Sequence, residues 1–385
     1  MRSKLIPGVL NQAQSDIRAV TRAIEAVGGI NLGQGTCALP PHPEIVVAAG
    51  RAVEEGHNSY TFYDGIPYLK DAIIERVAAY NSLHVARENI LVTSGATGAF
   101  ECICKCFIEA GDEIVVFEPI YKYHLRQAMG RGAIVRHVSL HAPDWSFDLE
   151  ELASVFTART KFLVFSNPNN PTGKVFSREE LLLIGELCRH HNVIAVVDEV
   201  YEYILSDGAQ HISLASLPGM FEHTITISSA SKTFFVTGWR VGWAIGPQDV
   251  IGLLGVKSDE TYVCAPAPLQ HAVAHGLRLP QEFFGNIKVP FQDRKSALMK
   301  SLAQVGFTPH PPEGAYYVLA DYPSAFADDD ITAMQCLVEQ IGVGAVPGRE
   351  FFPSRSNTGM LRFCYAITDE KLEEACQRLA RLPQI

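Results

Sequence analysis

From about residue 90 the chain repeats one pattern: a short apolar or β-branched run, then a polar turn. The runs are NILVTSG, DEIVVFEP, AIVRHVSL, TKFLVFSN, VIAVVDE and TITISS. Most are separated by helical segments such as ATGAFECICKCFIEAG and SREELLLIGELCRHH. Near-continuous apolar strands alternating with helices predict an α/β domain whose sheet is mostly parallel and covered on both faces. Sheets of this kind bind ligands beyond the carboxyl ends of their strands. The polar residues that follow each run are therefore the candidates: Ser94 to Thr97, Tyr121, Asn167 to Gly173, Asp198 to Tyr201, and Ser229 to Lys232. Each taken alone is ordinary turn or cap chemistry. Their joint occurrence in this order is what points to a site.

Outside this stretch the pattern is different. Residues 15 to 27 read as an amphipathic helix stopped by Gly28-Gly29, and INLGQG as a short strand ending in a turn at Gly33 and Gly35. A linker, TCALPPHP, precedes a helix at PEIVVAAGRAVEEG with proline in its first turn. NSYTFYDGIPYLKDAIIERVAAY reads as an aromatic loop feeding a further helix. Around PFQDRKSALMKSLAQVG a long helix begins, followed by mixed short strands and helices. The expected division is a large domain over residues 41–280 and a smaller α+β domain built from 1–40 and 281–385.

Composition narrows the function classes. The 385 residues are 47% hydrophobic and 19% charged, as in a globular protein with a sizeable core. A net charge of −10 disfavours nucleic-acid partners and leaves no basic patch for a membrane surface. No apolar run approaches the ~20 residues of a membrane span. The start, MRSKLIPGVLNQAQSD, lacks the apolar core of a signal peptide. Nine cysteines in so long a chain read as reduced thiols, so a cytoplasmic setting is expected. Cys102, Cys104 and Cys106 are spaced by two, which turns successive sulfurs away from one another on a helix. They are expected in the core, and no metal site is expected. His190-His191 reads as a helix-end pair.

Lys232 lies in SSASKTFFVTGWR, between small hydroxyl residues and aromatics. A lysine in apolar company is desolvated, which frees its amine as a nucleophile toward carbonyls. SGATGAF follows a strand and opens a helix, so its N–H groups point at an anion. Asp198 ends the run VIAVVD, where a carboxylate can keep a pyridine nitrogen protonated. A carbonyl-reactive lysine, an anion cradle and such a carboxylate together suit pyridoxal 5'-phosphate (PLP).

SNPNNPTG, DEVY, SASKTF with GWRVGW, and LRFCYA resemble the motif series of the class I/II aminotransferases, of PLP fold type I. The spacings agree: 28 residues from Asn170 to Asp198, 34 on to Lys232 and 8 more to Arg240. The likeness runs from INLGQG to LRFCYA, most of the chain. It implies a large domain with a mostly parallel, mixed seven-stranded sheet between helices, and a smaller domain. It implies transfer of an amino group between an L-amino acid and a 2-oxo acid.

By the same resemblance Lys232 carries the cofactor as a Schiff base and later moves the proton at the substrate's Cα. Asp198 pairs with the pyridine nitrogen, and Asn170 and Tyr201 bond the ring's phenolate oxygen. Tyr121 stacks on the ring. Gly95, Ala96 and Thr97, with Ser229 and Arg240, hold the phosphate. Tyr60 reaches the phosphate of a partner subunit, which implies a homodimer. Arg362 grips the substrate carboxylate, and Gly35 lets the substrate approach the backbone. Two departures stand out. Thr36-Cys37-Ala38-Leu39 replaces a Pro-Asp-Phe type loop, and SGAT replaces a Gly-Gly start to the cradle. The first leaves substrate identity open.

Competing readings are a lyase or cyclase of the same family, a PLP-sensing module of a transcription regulator, and a dinucleotide dehydrogenase. The regulator is disfavoured by the acidic charge and by the roughly thirty residues ahead of LGQG, where a DNA-binding domain would be expected. The dehydrogenase is disfavoured because SGATGAF is not G-x-G-x-x-G.

Overall fold

A computed structural model describes residues 15–352, 354 and 357–382. The opening segment through Gln14, where no leader is expected, lies outside them. After the helix Asp16–Ala26 comes a two-residue strand, β1 (Ile30–Asn31). The helices Pro43–Glu54 and Pro67–Asn81 follow, both with proline in the first turn, where its missing N–H costs nothing.

The predicted alternation then appears as seven strands. They are β2 (Ile90–Thr93), β3 (Glu113–Glu118), β4 (Ile134–Ser139), β5 (Thr160–Ser166), β6 (Ile194–Asp198), β7 (Thr224–Ser229) and β8 (Gly242–Ile245). They form one sheet in the order β2-β8-β7-β6-β5-β3-β4. The neighbours from β4 through β7 are parallel, and β8 runs antiparallel to both β7 and β2. The sheet is thus mixed but mostly parallel.

Every residue of β2, β3 and β7 is buried, which explains why those runs show no polar alternation. Ile114 and Val116 of β3 join Val164, Val196 and Ile227 in a core with the helix Gly95–Phe107. Phe117 packs instead with Phe165 and Phe176, at 5.8 and 5.4 Å between ring centroids. Cys102 and Cys104 are fully buried in the first of these cores, as small apolar residues. Burial raises the Cys102 thiol to about 11. The helix Arg178–His190 begins with a reciprocal cap between Ser177 and Glu180.

The chain divides into two compact units. One holds Thr36–Gln292 with Pro312–Tyr316; the other holds the residues up to Gly35, Asp293–Pro311, and those from Tyr317 on. In the second unit β9 (Thr308–His310), β10 (Tyr317–Asp321), β12 (Val346–Pro347) and β13 (Met360–Cys364) form an antiparallel sheet, order β12-β13-β10-β9. Strand β11 (Val343–Gly344) pairs in parallel with β1. Asp330, fully buried, accepts from the Arg349, Thr358 and Gly359 amides and from the Tyr322 hydroxyl, tying this unit's loops together. Among the described residues no helix is long and apolar enough to cross a membrane.

Candidate active site

Strands β2, β3, β5, β6 and β7 all run the same way, so the turns that follow them share one edge of the sheet. Register sets the details. Gly242 of β8 pairs with Thr93 on one side and Ser229 on the other, placing the turn after β2 beside the turn after β7. A Cβ on Gly242 would come within 2.6 Å of the Ala96 amide nitrogen, so only glycine allows this approach.

The helix Gly95–Phe107 starts immediately after Ser94, with Gly95 at φ +73°. The Arg240 guanidinium packs on Gly95 so closely that a side chain there would overlap its Nη2. Arg240 is held by donating to the Thr237 carbonyl at 3.2 Å and to the Ser94 carbonyl at 3.4 Å. A helix N-terminus, Ser229 and a guanidinium thus converge around a glycine, and such a cradle fits a phosphate. Ser229 also caps the four-residue helix Ala230–Thr233, accepting from the Ser231 amide at 3.3 Å.

That short helix carries Lys232. Its Nζ donates to the Tyr316 hydroxyl at 2.8 Å and lies 5.6 Å from the centre of the Tyr201 ring. The two tyrosine rings meet edge to face, 5.2 Å apart, and both are buried. Asp198 ends β6, registered against Ser166 and Ile227. One carboxylate oxygen accepts from the Val200 amide at 3.2 Å, and the other lies 3.2 Å from His124 Nε2. His124 is buried against Phe100 and Tyr121, and its Nδ1 has no hydrogen-bond partner among the described residues. Tyr121 itself stacks on Tyr123 at 5.1 Å.

Asn170 is buried in the loop after β5. Asn167 pins that loop, its amide donating to the Asp198 carbonyl at 2.9 Å and its side-chain oxygen accepting from Phe176. Asn169 closes the turn by accepting from the Thr172 hydroxyl at 2.8 Å. Tyr60, by contrast, is 83% exposed, on a surface it shares with His57, Phe62 and His271.

In the second unit Arg362 of β13 is fully buried. Its Nη2 donates to the Gly33 carbonyl at 2.7 Å, and its guanidinium lies between the Tyr317 and Phe351 rings, 4.1 and 4.5 Å from their centres. A side chain on Gly35 would overlap the Tyr317 hydroxyl.

The aminotransferase class I and II family model matches residues 27–379. This chain belongs to that family. It is 34% identical to a mouse kynurenine–oxoglutarate transaminase, over 93% of each chain. Its fold superposes on an N-succinyldiaminopimelate aminotransferase from Mycobacterium tuberculosis with a TM-score of 0.94, at 30% identity, covering 98% of this chain and 100% of that one. It superposes on an aspartate aminotransferase from Thermus thermophilus with a TM-score of 0.90, at 32% identity, over 98% and 99%. The protein is a PLP-dependent aminotransferase that moves an amino group between an amino acid and a 2-oxo acid. The residues present fit that cofactor: a cradle with room only for glycine, a strand-end carboxylate and a lysine at one sheet edge.

Two neighbours of these residues carry no signal in the sequence. His124 lies three residues past Tyr121, and Tyr316 follows the turn PPEGA. Glu199, inside the candidate stretch after β6, has two buried neighbours that the sequence does not point to, Glu202 and His211; the polar atoms of the three lie within 4.8 Å of one another. Burial pushes Glu202 up to about 7, against hydrogen bonds from Asn81 at 3.2 Å and Ser228 at 3.0 Å. Burial lowers His211 to about 3 and raises Glu199.

Proposed function

We propose that Lys232 binds PLP covalently and then acts as the base that moves the substrate's Cα proton. Support comes from its place on the turn after β7 and from the match across residues 27–379. When bound, the cofactor supplies the aldehyde that takes up the amino group and a ring that holds the electrons released at Cα. Asp198, backed by His124, keeps a proton on the ring nitrogen. Asn170 and Tyr201 donate to the phenolate oxygen, and Tyr121 covers one face of the ring. Gly95, Ala96, Thr97, Ser229 and Arg240 hold the phosphate. Arg362 takes the substrate's α-carboxylate with its planar fork, and Gly35 leaves the backbone open to substrate.

The active assembly is a homodimer in which Tyr60 serves the partner's phosphate. The exposed aromatic segment supports this, with Tyr60, Phe62 and Tyr68 presented to solvent. The cysteines, none of them in a disulfide among the described residues, support a cytoplasmic setting. The relatives' names differ in amino donor, so the side chain accepted here is best read from a panel of donors with 2-oxoglutarate as the first acceptor. The reaction is tested by stoichiometry. Given its amino acid and no acceptor, the enzyme is expected to stop after one turnover with the cofactor as pyridoxamine phosphate. Continued turnover with PLP retained would instead mark elimination or cyclisation.

A further inference from the structure

We propose that Tyr316 is a further catalytic residue, whose hydroxyl holds the Lys232 amine in place for proton transfer. The inference rests on the reading of Lys232 given above and deepens it. The distance is a direct one, Nζ to hydroxyl oxygen at 2.8 Å, between groups 84 residues apart in the chain.

The segment that carries Tyr316 is fastened at several points. The Glu313 and Gly314 amides both donate to the Gly173 carbonyl, at 3.0 and 2.8 Å, and the Ala315 amide donates to Ile204 at 2.9 Å. The Ser206 hydroxyl donates to Pro312 at 2.7 Å, and Glu313 accepts from the Val175 amide at 3.0 Å. Gly314 lies against Pro168, where a Cβ would come within 2.7 Å. Ala315 sits at φ +59°, a conformation that disfavours any residue with a Cβ, directly before the tyrosine. Strain of this kind persists only where the surroundings over-determine it, and it gathers at functional sites. The Tyr316 ring is fully buried, edge-on to Tyr201 and 5.8 Å from Phe291, so it has little freedom to turn away.

The chemistry needs such a holder. A lysine side chain has four rotatable bonds and no fixed direction. During the reaction the Nζ lone pair takes the proton from the substrate's Cα, and Nζ then gives that proton to the cofactor's carbon, returning neutral. Between the two events it is an ammonium. The phenolic oxygen accepts one of its hydrogens and so leaves another aimed at the reacting carbons. Tyr316 keeps its own proton throughout.

Tyr316→Phe removes the hydroxyl and keeps the ring packing. In a single-turnover half-reaction its rate should fall at least tenfold, with the amino acid's Kd within threefold of the parent's. Borohydride should still trap one cofactor on Lys232. A second readout uses cofactor-free protein. Cyanate, which reacts with neutral amines, should carbamoylate Lys232 at pH 7 at least threefold faster in the variant, because the acceptor that favours the charged amine is gone. A half-reaction rate within threefold of the parent, or an unchanged carbamoylation rate, overturns the proposal. Failure to trap cofactor on Lys232 in the parent would strike the underlying reading instead.

Discussion

At the residue scale, the cradle turns on one glycine. Gly95 combines a left-handed backbone with a guanidinium laid directly on its Cα. An alanine there costs about 1–2 kcal/mol in backbone conformation alone. It also forces Arg240 off the Ser94 and Thr237 carbonyls. Losing one charge-assisted hydrogen bond to a bound phosphate costs about 1.5–3 kcal/mol, or roughly ten- to a hundredfold in affinity. Gly95→Ala should therefore weaken PLP binding by that factor, read by absorbance titration of the cofactor-free protein. Far-ultraviolet circular dichroism should stay that of the parent.

At the element scale, the turn after β6 carries a buried acid, Glu202. Glu202 titrates near 4.5 in the unfolded chain and near 7 in the fold. A raised carboxyl stabilises the fold fully below the unfolded value and loses that contribution as pH rises through the folded one. The window is therefore about pH 4.5 to 7, and the full span corresponds to on the order of 3 kcal/mol. His211 has the opposite sign. Its folded value of about 3 lies below 6.5, so stability falls as pH drops from 6.5 toward 3. Glu202→Gln removes the first slope and leaves the second. The Asn81 side-chain oxygen, which has no hydrogen-bond partner among the described residues, can accept from the new amide after a flip. The variant's Tm should change less than the parent's between pH 6 and 8.5, by calorimetry. Equal slopes would show that Glu202 does not titrate in that range.

At the scale of the whole molecule, the proposed homodimer gives a test by mixing. Lys232→Ala lacks the covalent anchor, and Tyr60→Phe lacks the hydroxyl offered to the partner's phosphate. A mixed dimer should contain one site with both groups intact. Subunit exchange between equal amounts of the two variants should therefore restore activity at limiting PLP toward about a quarter of the parent's, since half of the dimers are then mixed and each has one intact site of two. No recovery after exchange, with mixed dimers demonstrated by mass, would remove Tyr60 from the partner's site. The mostly parallel sheet and the place of Lys232 and Asp198 at strand ends were legible in the sequence because both signals are local. Continuous apolar runs record burial on two faces, and the polar residue after each run marks the carboxyl edge. The order β2-β8-β7-β6-β5-β3-β4 was not legible, since apolar strands of similar length carry little record of their neighbours. His124 against Asp198, Asn81 against Glu202 and Tyr316 against Lys232 were likewise set by tertiary structure alone. A histidine after a strand or a tyrosine after a turn has no periodicity to betray it. Its chemistry is decided by a partner that only the folded chain brings within 3 Å or so.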